Sequence, residues 1–324
     1  MRNFFKNLFC LGTCLILFGC SNDDGAPIVV VPQTPKQITQ FTQNTLSGAV
    51  LPSLVYHQMI GFNNKLWIIG GLTDQYINDI WNSTDGKKWT KVTVSGTQFG
   101  PRSYHRAIVF NNKLWVIAGW NNAGLSDVWS TADGVHWTQE TASAAFGQRY
   151  AFDVVVFNNK LWLFGGLDNS AVEYDDVWSS TDGITWTLVT NTAEFGLRRD
   201  HQAFVFNNKM WISGGWGDGN TYSTIYSSTN GVNWTLETTS NFNASAVHQI
   251  VNTGTTLYLL GGRDFTTHFD TFKKSTDGKN WTNVIANSSF TARSGHQAVW
   301  FNNKIIISAG RNGGGYFNDV WSSN

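Results

Sequence analysis

Six copies of one phrase recur along the chain, and no other feature restricts the fold as tightly. Each copy is an apolar run closed by two small residues: LWIIGG (Leu66–Gly71), LWVIAG (Leu114–Gly119), LWLFGG (Leu161–Gly166), MWISGG (Met210–Gly215), LYLLGG (Leu257–Gly262) and IIISAG (Ile305–Gly310). The starts lie 48, 47, 49, 47 and 48 residues apart. A fixed period of this length marks a solenoid or a propeller, whose units cannot bury their own apolar faces and must stack on neighbours.

Residues 102–147 show what one unit contains. RSYHRAIVF alternates and is rich in β-branched residues, so it reads as a strand. Asn111-Asn112 follows, a pair that tolerates the positive φ of a tight hairpin. LWVIAG is a second strand, with Leu114 and Val116 on one side and Trp115 and Ile117 on the other. After a loop rich in Asn and Gly, DVWSTA is a third strand, Asp133-Gly134 turns the chain, and WTQET is the fourth. Four short antiparallel strands per period describe a propeller blade. The small pair suits close passage near the axis. The Trp residues of the second strand and of the outer strand (Trp89, Trp137, Trp186, Trp234 and Trp281) suit the wedge between twisted blades. Six repeats give six blades.

The small pair, the Asn/Asp–aliphatic–Trp run (Asn78–Trp81, Asp127–Trp129, Asp176–Trp178, Asn318–Trp321) and the downstream Trp resemble kelch repeats over nearly the whole domain. The resemblance implies an all-β, six-bladed kelch-type propeller of the galactose oxidase-like kind. It implies little about activity, because such propellers serve unrelated roles. The last repeat stops after its third strand. FTQNTLSG (Phe41–Gly48) aligns without gaps on WTKVTVSG (Trp89–Gly96), each beginning 16 residues before a His (His57, His105). Phe41–Leu46 is therefore expected to supply the missing outer strand and to close the last blade.

Residues 1–20 read as a targeting segment. Arg2 and Lys6 precede an apolar stretch too short to span a bilayer, and Leu17-Phe18-Gly19-Cys20 looks like a bacterial lipobox. Cys20 would become the lipidated first residue. Ser-Asn-Asp-Asp-Gly after it resembles a tag that sends lipoproteins to the outer face of the outer membrane. Residues 21–40 hold three of the five prolines and read as an extended tether, leaving residues 41–324 as the propeller. All three cysteines lie in the signal, so the mature domain has neither disulfide nor thiol chemistry and depends on its packed core. Without Arg2 and Lys6 the chain carries 20 basic and 22 acidic residues, no footprint for nucleic acid. A lipid-anchored, surface-exposed monomer is expected, touching the membrane through its anchor alone.

Strand topology sorts the loops onto two faces. One carries the first hairpins, with Asn-Asn-Lys five times (Lys65, Lys113, Lys160, Lys209, Lys304). It also carries Ser-Thr-Asp-Gly-x-x-Trp turns, which resemble the structural Asp box of sialidases, shortened by one residue. The other face carries the loops between second and third strands and the blade-to-blade connections. It is less regular, as binding faces are. There Arg102/His105, Arg198/His201 and Arg293/His296 form a repeated Arg-x-x-His, and Arg149 keeps only the Arg. Trp120, Trp216, Arg263 and Arg311 directly follow small pairs. Aromatic plates among Arg, Asn and Asp suit a polar, anionic glycan. The candidate ligand-binding set is Trp120, Trp216, Arg263, Arg311, Arg102, Arg149, Arg198 and Arg293, although repetition in nearly every blade also suits architecture for the last four.

With no Cys in the mature chain other than the lipidated Cys20, a copper radical site of the galactose oxidase type, which needs a Cys crosslinked to Tyr, is excluded, and no Tyr–Glu arrangement of a sialidase is evident. The dispersed His residues offer no local metal-ligand pair. No cofactor, metal or catalytic residue is assigned. The function expected is a cell-envelope binding module for a glycan or a partner protein. A carbohydrate-active enzyme (epimerase, lyase or hydrolase) on the same face and an envelope scaffold are the alternatives.

Overall fold

The computed structural model describes residues 38–238, 242–284 and 290–324. Each blade holds four antiparallel strands, in blade 2 Arg106–Phe110, Lys113–Trp120, Gly124–Thr131 and Thr138–Thr141. The paired asparagines turn the first hairpin as expected, with φ of 48° at Asn111 and 57° at Asn112. The inner strands of successive blades touch in cyclic order, and the sixth touches the first.

The core is divided into wedges. Each apolar cluster draws on two neighbouring blades: Phe62, Trp67 and Ile69 of blade 1, for example, pack with Leu114, Val116 and Trp129 of blade 2. Burial of one such side chain stabilises by roughly 1.5–3 kcal/mol, so the blades hold one another rather than themselves. The second-strand Trp residues, Trp67, Trp115, Trp162 and Trp211, are buried in these wedges. Each donates its indole N–H to the carbonyl five residues earlier, as Trp115 does to Phe110 at 2.9 Å. The Asp-Gly turns are structural. In blade 1, Asp85 Oδ1 accepts the Lys87 and Lys88 amides at 2.8 and 2.9 Å, and Ser83 Oγ accepts the Gly86 amide at 2.9 Å.

The small pair does more than clear space. Its first residue is left-handed in every blade, with φ of 57° at Gly70 and 48° at Ala118. Its second is always Gly, at φ of 95–113°. A Cβ on Gly119 would also stand 2.7 Å from the Cβ of His105 in the same blade. Only Gly meets both demands.

The closure expected from the sequence is present. Phe41–Gln43 pairs with Val320–Ser323, Phe41 opposite Ser323 and Gln43 opposite Trp321. This strand is shorter than Phe41–Leu46, because the chain then leaves blade 6. Ser47–Gly48 instead pairs in parallel with Lys88 and Trp89 of blade 1, so one segment ties the two blades at the seam. The expected signal, and the tether as far as Gln37, lie outside the described residues. Packed structure starts at Ile38, inside the span read as tether. Ile38 is buried against Phe41, Tyr258 and Phe272, and Asn324 Oδ1 accepts the Thr39 amide at 3.0 Å.

At the axis a second closure appears. Tyr56, Tyr104, Ala151, Asp200, Val247 and Gly295 occupy one equivalent position, immediately before each inner strand's His or Phe. All six are left-handed, with φ of 51–62°. Each amide donates to the preceding blade's carbonyl, from Tyr104 N to Tyr56 O at 3.1 Å round to Tyr56 N to Gly295 O at 3.0 Å. Six hydrogen bonds thus form a closed ring about the axis.

Candidate functional site: the axial mouth of the loop face

The residue after each small pair is placed by backbone bridges. Leu72, Trp120, Leu167, Trp216, Arg263 and Arg311 bridge Val55, Ser103, Tyr150, Arg199, Ala246 and Ser294, each one residue before the axial ring. The four non-repeated residues singled out in the sequence, Trp120, Trp216, Arg263 and Arg311, therefore stand in a rim around the axial ring, one bridged residue out from it, and none of them lines the cavity at the axis itself. All four are half-buried.

Two aromatic groups stand on this rim. On blades 1–3, the Trp120 ring lies 4.5 Å from Tyr150, and its indole N–H donates to Tyr76 Oη at 3.0 Å. On blades 4–5, Trp216 stacks with Phe265 at 5.7 Å and 13°. The guanidinium carbons of Arg199 and Arg263 each lie 5.4 Å from the Trp216 ring. Phe265 is 52% exposed, an uncommon state for Phe beside a stacked Trp. Arg263 also donates to the Asp264 and Phe265 carbonyls, which fixes its loop.

The floor is the axial ring. Tyr56 and Tyr104 stack at 3.9 Å and 21°. The Tyr56 ring leans over Gly295, where a Cβ would meet it at 2.8 Å. Beneath lies a cavity of about 40 Å³, lined by His57, Gln58, Arg106, Phe152, His201 and Gln297 among others, room for a water or two. Arg106 is bound to Asp153 at 3.0 Å.

Most charges here are committed. Arg199 pairs with Glu173 at 2.9 Å. Two groups are not. Arg311 Nε is buried with no hydrogen-bond partner. The Asp200 carboxylate, half-buried in the ring, has no hydrogen-bonded partner among the described residues. Burial pushes the Asp200 carboxyl up from its ordinary value to about 6, against the pull of Arg199, Arg106 and Arg263.

The repeated arginines are not at the mouth. Arg102, Arg149, Arg198 and Arg293 are 0–2% exposed. Arg102 makes a bidentate pair with Asp127 at 2.8 and 2.8 Å, Arg149 with Asp176 at 2.8 and 3.0 Å, and Arg293 with Asp319 at 2.7 and 2.8 Å. Each of the four also donates to a carbonyl at its blade's small pair: Ala118, Gly165, Gly214 or Ala309. They fasten each blade's first connection to its own second and third strands and present no surface to a ligand, so the candidate set contracts to the rim. The repeated histidines are likewise interior. Burial holds His57 and His248 down at about 3, so both are neutral. Among the described residues, no group of three or more His, Cys, Asp or Glu side chains is placed to share a metal ion.

Sequence reasoning missed Tyr56, Tyr104, Tyr150 and Asp200. A signal was present. The residue before the repeated His or Phe varies freely (Tyr, Tyr, Ala, Asp, Val, Gly) inside an otherwise repeated frame, which marks Tyr56, Tyr104 and Asp200 but not Tyr150.

The chain is a six-bladed kelch-type β-propeller. Residues 182–315 match the DUF6242 β-propeller domain family, and residues 101–130 match the kelch motif. Among many solved structures that share the fold, that of YjhT superposes with a TM-score of 0.70 over 86% of this chain and 95% of that chain, at 15% identity. At this identity the likeness is one of fold. No curated protein matches the sequence significantly.

Proposed function

We propose that the axial mouth binds a polar, anionic glycan, and that the protein is a binding module held at the cell surface by a lipid on Cys20. The observation that carries this reading is the convergence of two aromatic groups, the uncommitted Arg311 and the uncommitted Asp200 on one rim and floor. Sugar C–H faces stack on such rings, and carboxylates and hydroxyls satisfy buried donors and acceptors that otherwise cost free energy. Cys20 lies outside the described residues, so the address rests on the sequence alone.

A second reading is favoured by Asp200 itself. A half-buried carboxyl that titrates near 6 beside tyrosines is suited to general acid–base work on a sugar. Glu173, a carboxylate whose charge opposes ionisation of Asp200, is engaged by Arg199. That pattern fits a single acid–base group better than the facing pair of a glycoside hydrolase.

A glycan array probed with the Cys20→Ser protein tests the binding reading. Trp120→Ala and Trp216→Ala should each weaken binding by about 1–3 kcal/mol, as truncation of an aromatic anchor does. Lys113→Ala, on the hairpin face and paired there with Glu140, should leave binding unchanged. Binding that depends on Lys113 and not on either Trp would remove the mouth from consideration. Conversion of a bound sugar, lost in Asp200→Asn, would establish the enzyme instead.

A further inference from the structure

An anionic ligand creates a conflict at the mouth. Arg311 and Arg263 stand on the rim, but the floor holds a carboxylate. Asp200 is fixed by the backbone ring, since its amide donates to Ala151 O at 2.8 Å and its carbonyl accepts from Val247 N at 2.9 Å. It cannot retreat without opening the ring. In the cyclic order of blades it faces Tyr56 across the axis.

Its charged and titratable surroundings come from every neighbouring blade: Arg199 in its own connection, Arg106 on the inner strand of blade 2, Arg263 in the blade 5 loop and Glu173 on the third strand of blade 3. Tyr56, Tyr104 and Tyr150 also feel its charge. Of the three arginines, Arg199 is neutralised by Glu173 and Arg106 by Asp153. A ligand carboxylate drawn toward Arg263 and Arg311 therefore meets a second negative charge in a partly desolvated site, where like charges do not both persist.

Resting on the glycan reading, we infer that Asp200 determines which ligand charge the mouth accepts: an acidic sugar binds together with one proton, taken from solvent onto the Asp200 carboxyl, whereas a neutral sugar binds the ionised form through its hydroxyls. In the first case the protonated carboxyl donates a hydrogen bond to the ligand. In the second the carboxylate accepts one. The raised titration of Asp200, near 6, places the change within the physiological range.

The experiment is isothermal titration calorimetry of the Cys20→Ser protein with a panel of uronate oligosaccharides and their methyl esters. It is run from pH 5 to 8 in pairs of buffers that differ in ionisation enthalpy. The uronates stay ionised throughout, since carboxyls of this type titrate near 4. Acidic probes should bind with uptake of close to one proton at pH 7, and their affinity should fall about tenfold per pH unit above about 6, as for a ligand that selects a minor protonation state. The methyl esters should show neither effect. Asp200→Asn should bind the acidic probes without proton uptake and without the pH slope. Asn suits the left-handed backbone, so the ring is preserved.

Acidic probes that bind without proton uptake, or a slope that survives Asp200→Asn, would overturn the role given to Asp200 while leaving the glycan reading intact. If neither probe set binds at any pH, the glycan reading falls and this inference falls with it.

Discussion

Blade 4 breaks the pattern of buried Arg–Asp pairs, and the break should be repairable. Arg198 is as buried as its equivalents, but Thr224 stands where the others have Asp127, Asp176 and Asp319. Thr224 Oγ1 is 3.5 Å from Nη2, and Arg198 Nε has no partner. What remains are the Gly214 and Phe195 carbonyls and the Tyr222, Tyr226 and Phe195 rings, at 4.6, 5.4 and 5.6 Å, none of which carries a full counter-charge. Burial pushes the guanidinium down from its ordinary value to about 10. A base whose pKa is lower folded than unfolded weakens the fold at every pH below the folded value. The penalty fades only as pH rises from about 10. A gap of two to three pH units corresponds to about 3 kcal/mol.

Thr224→Asp should recover about 1–3 kcal/mol of this, the range of a charge-assisted hydrogen bond less the cost of burying the new carboxylate. For a domain of this size that is a rise of about 2–5 °C in Tm. Asp127 shows what the new group should do. Burial opposes its charged form, yet Arg102 holds it below the usual carboxylate range. The gain should therefore be full at neutral pH, begin to decline near 4 and be lost as pH falls through the lowered folded value. The assay is thermal and urea unfolding of Thr224→Asp and Thr224→Asn side by side. Equal stability of the two at neutral pH, or a gain no smaller at pH 2 than at pH 7, would refute the claim that Arg198 lacks a counter-charge.

Deleting residues 21–48 should remove the outer strand of blade 6 with buried Ile38 and Phe41, at a cost of about 4 kcal/mol or more, whereas deleting 21–36 should leave Tm unchanged; matching melts for the two truncations would contradict the closure. Asp200→Asn should be more stable than the parent above pH 6 and lose that advantage below about 4, because a carboxyl with a raised folded pKa contributes stability that is complete below its unfolded pKa and lost as pH rises through the folded one; urea unfolding at pH 4 and 8 tests the sign. Cys20→Ser should release the protein from membranes and abolish metabolic labelling with palmitate, and fractionation that still finds it membrane-bound would overturn the anchor.

Much of the fold was legible because a propeller is built from local grammar. The period gave the blade count. Asn-Asn and Asp-Gly gave the hairpins, since their backbone preferences act within a few residues. The missing last strand and the matching FTQNTLSG segment gave the closure, including its partner. The rim positions of Trp120, Trp216, Arg263 and Arg311 followed from their place after the small pair.

The rest was decided by ring closure. Arg102, Arg149, Arg198 and Arg293 have the residue type of an anion site, yet each folds back onto its own blade, and only the tertiary position of the Asp 25 to 27 residues later (or of Thr224) shows it. Tyr56, Tyr104 and Asp200 lie in three separate repeats. Locally each is marked only by variation at one position of the repeat, which does not say what the position meets. They become neighbours because one left-handed residue per blade donates its amide to the blade before, and that ring exists only when the sixth blade meets the first.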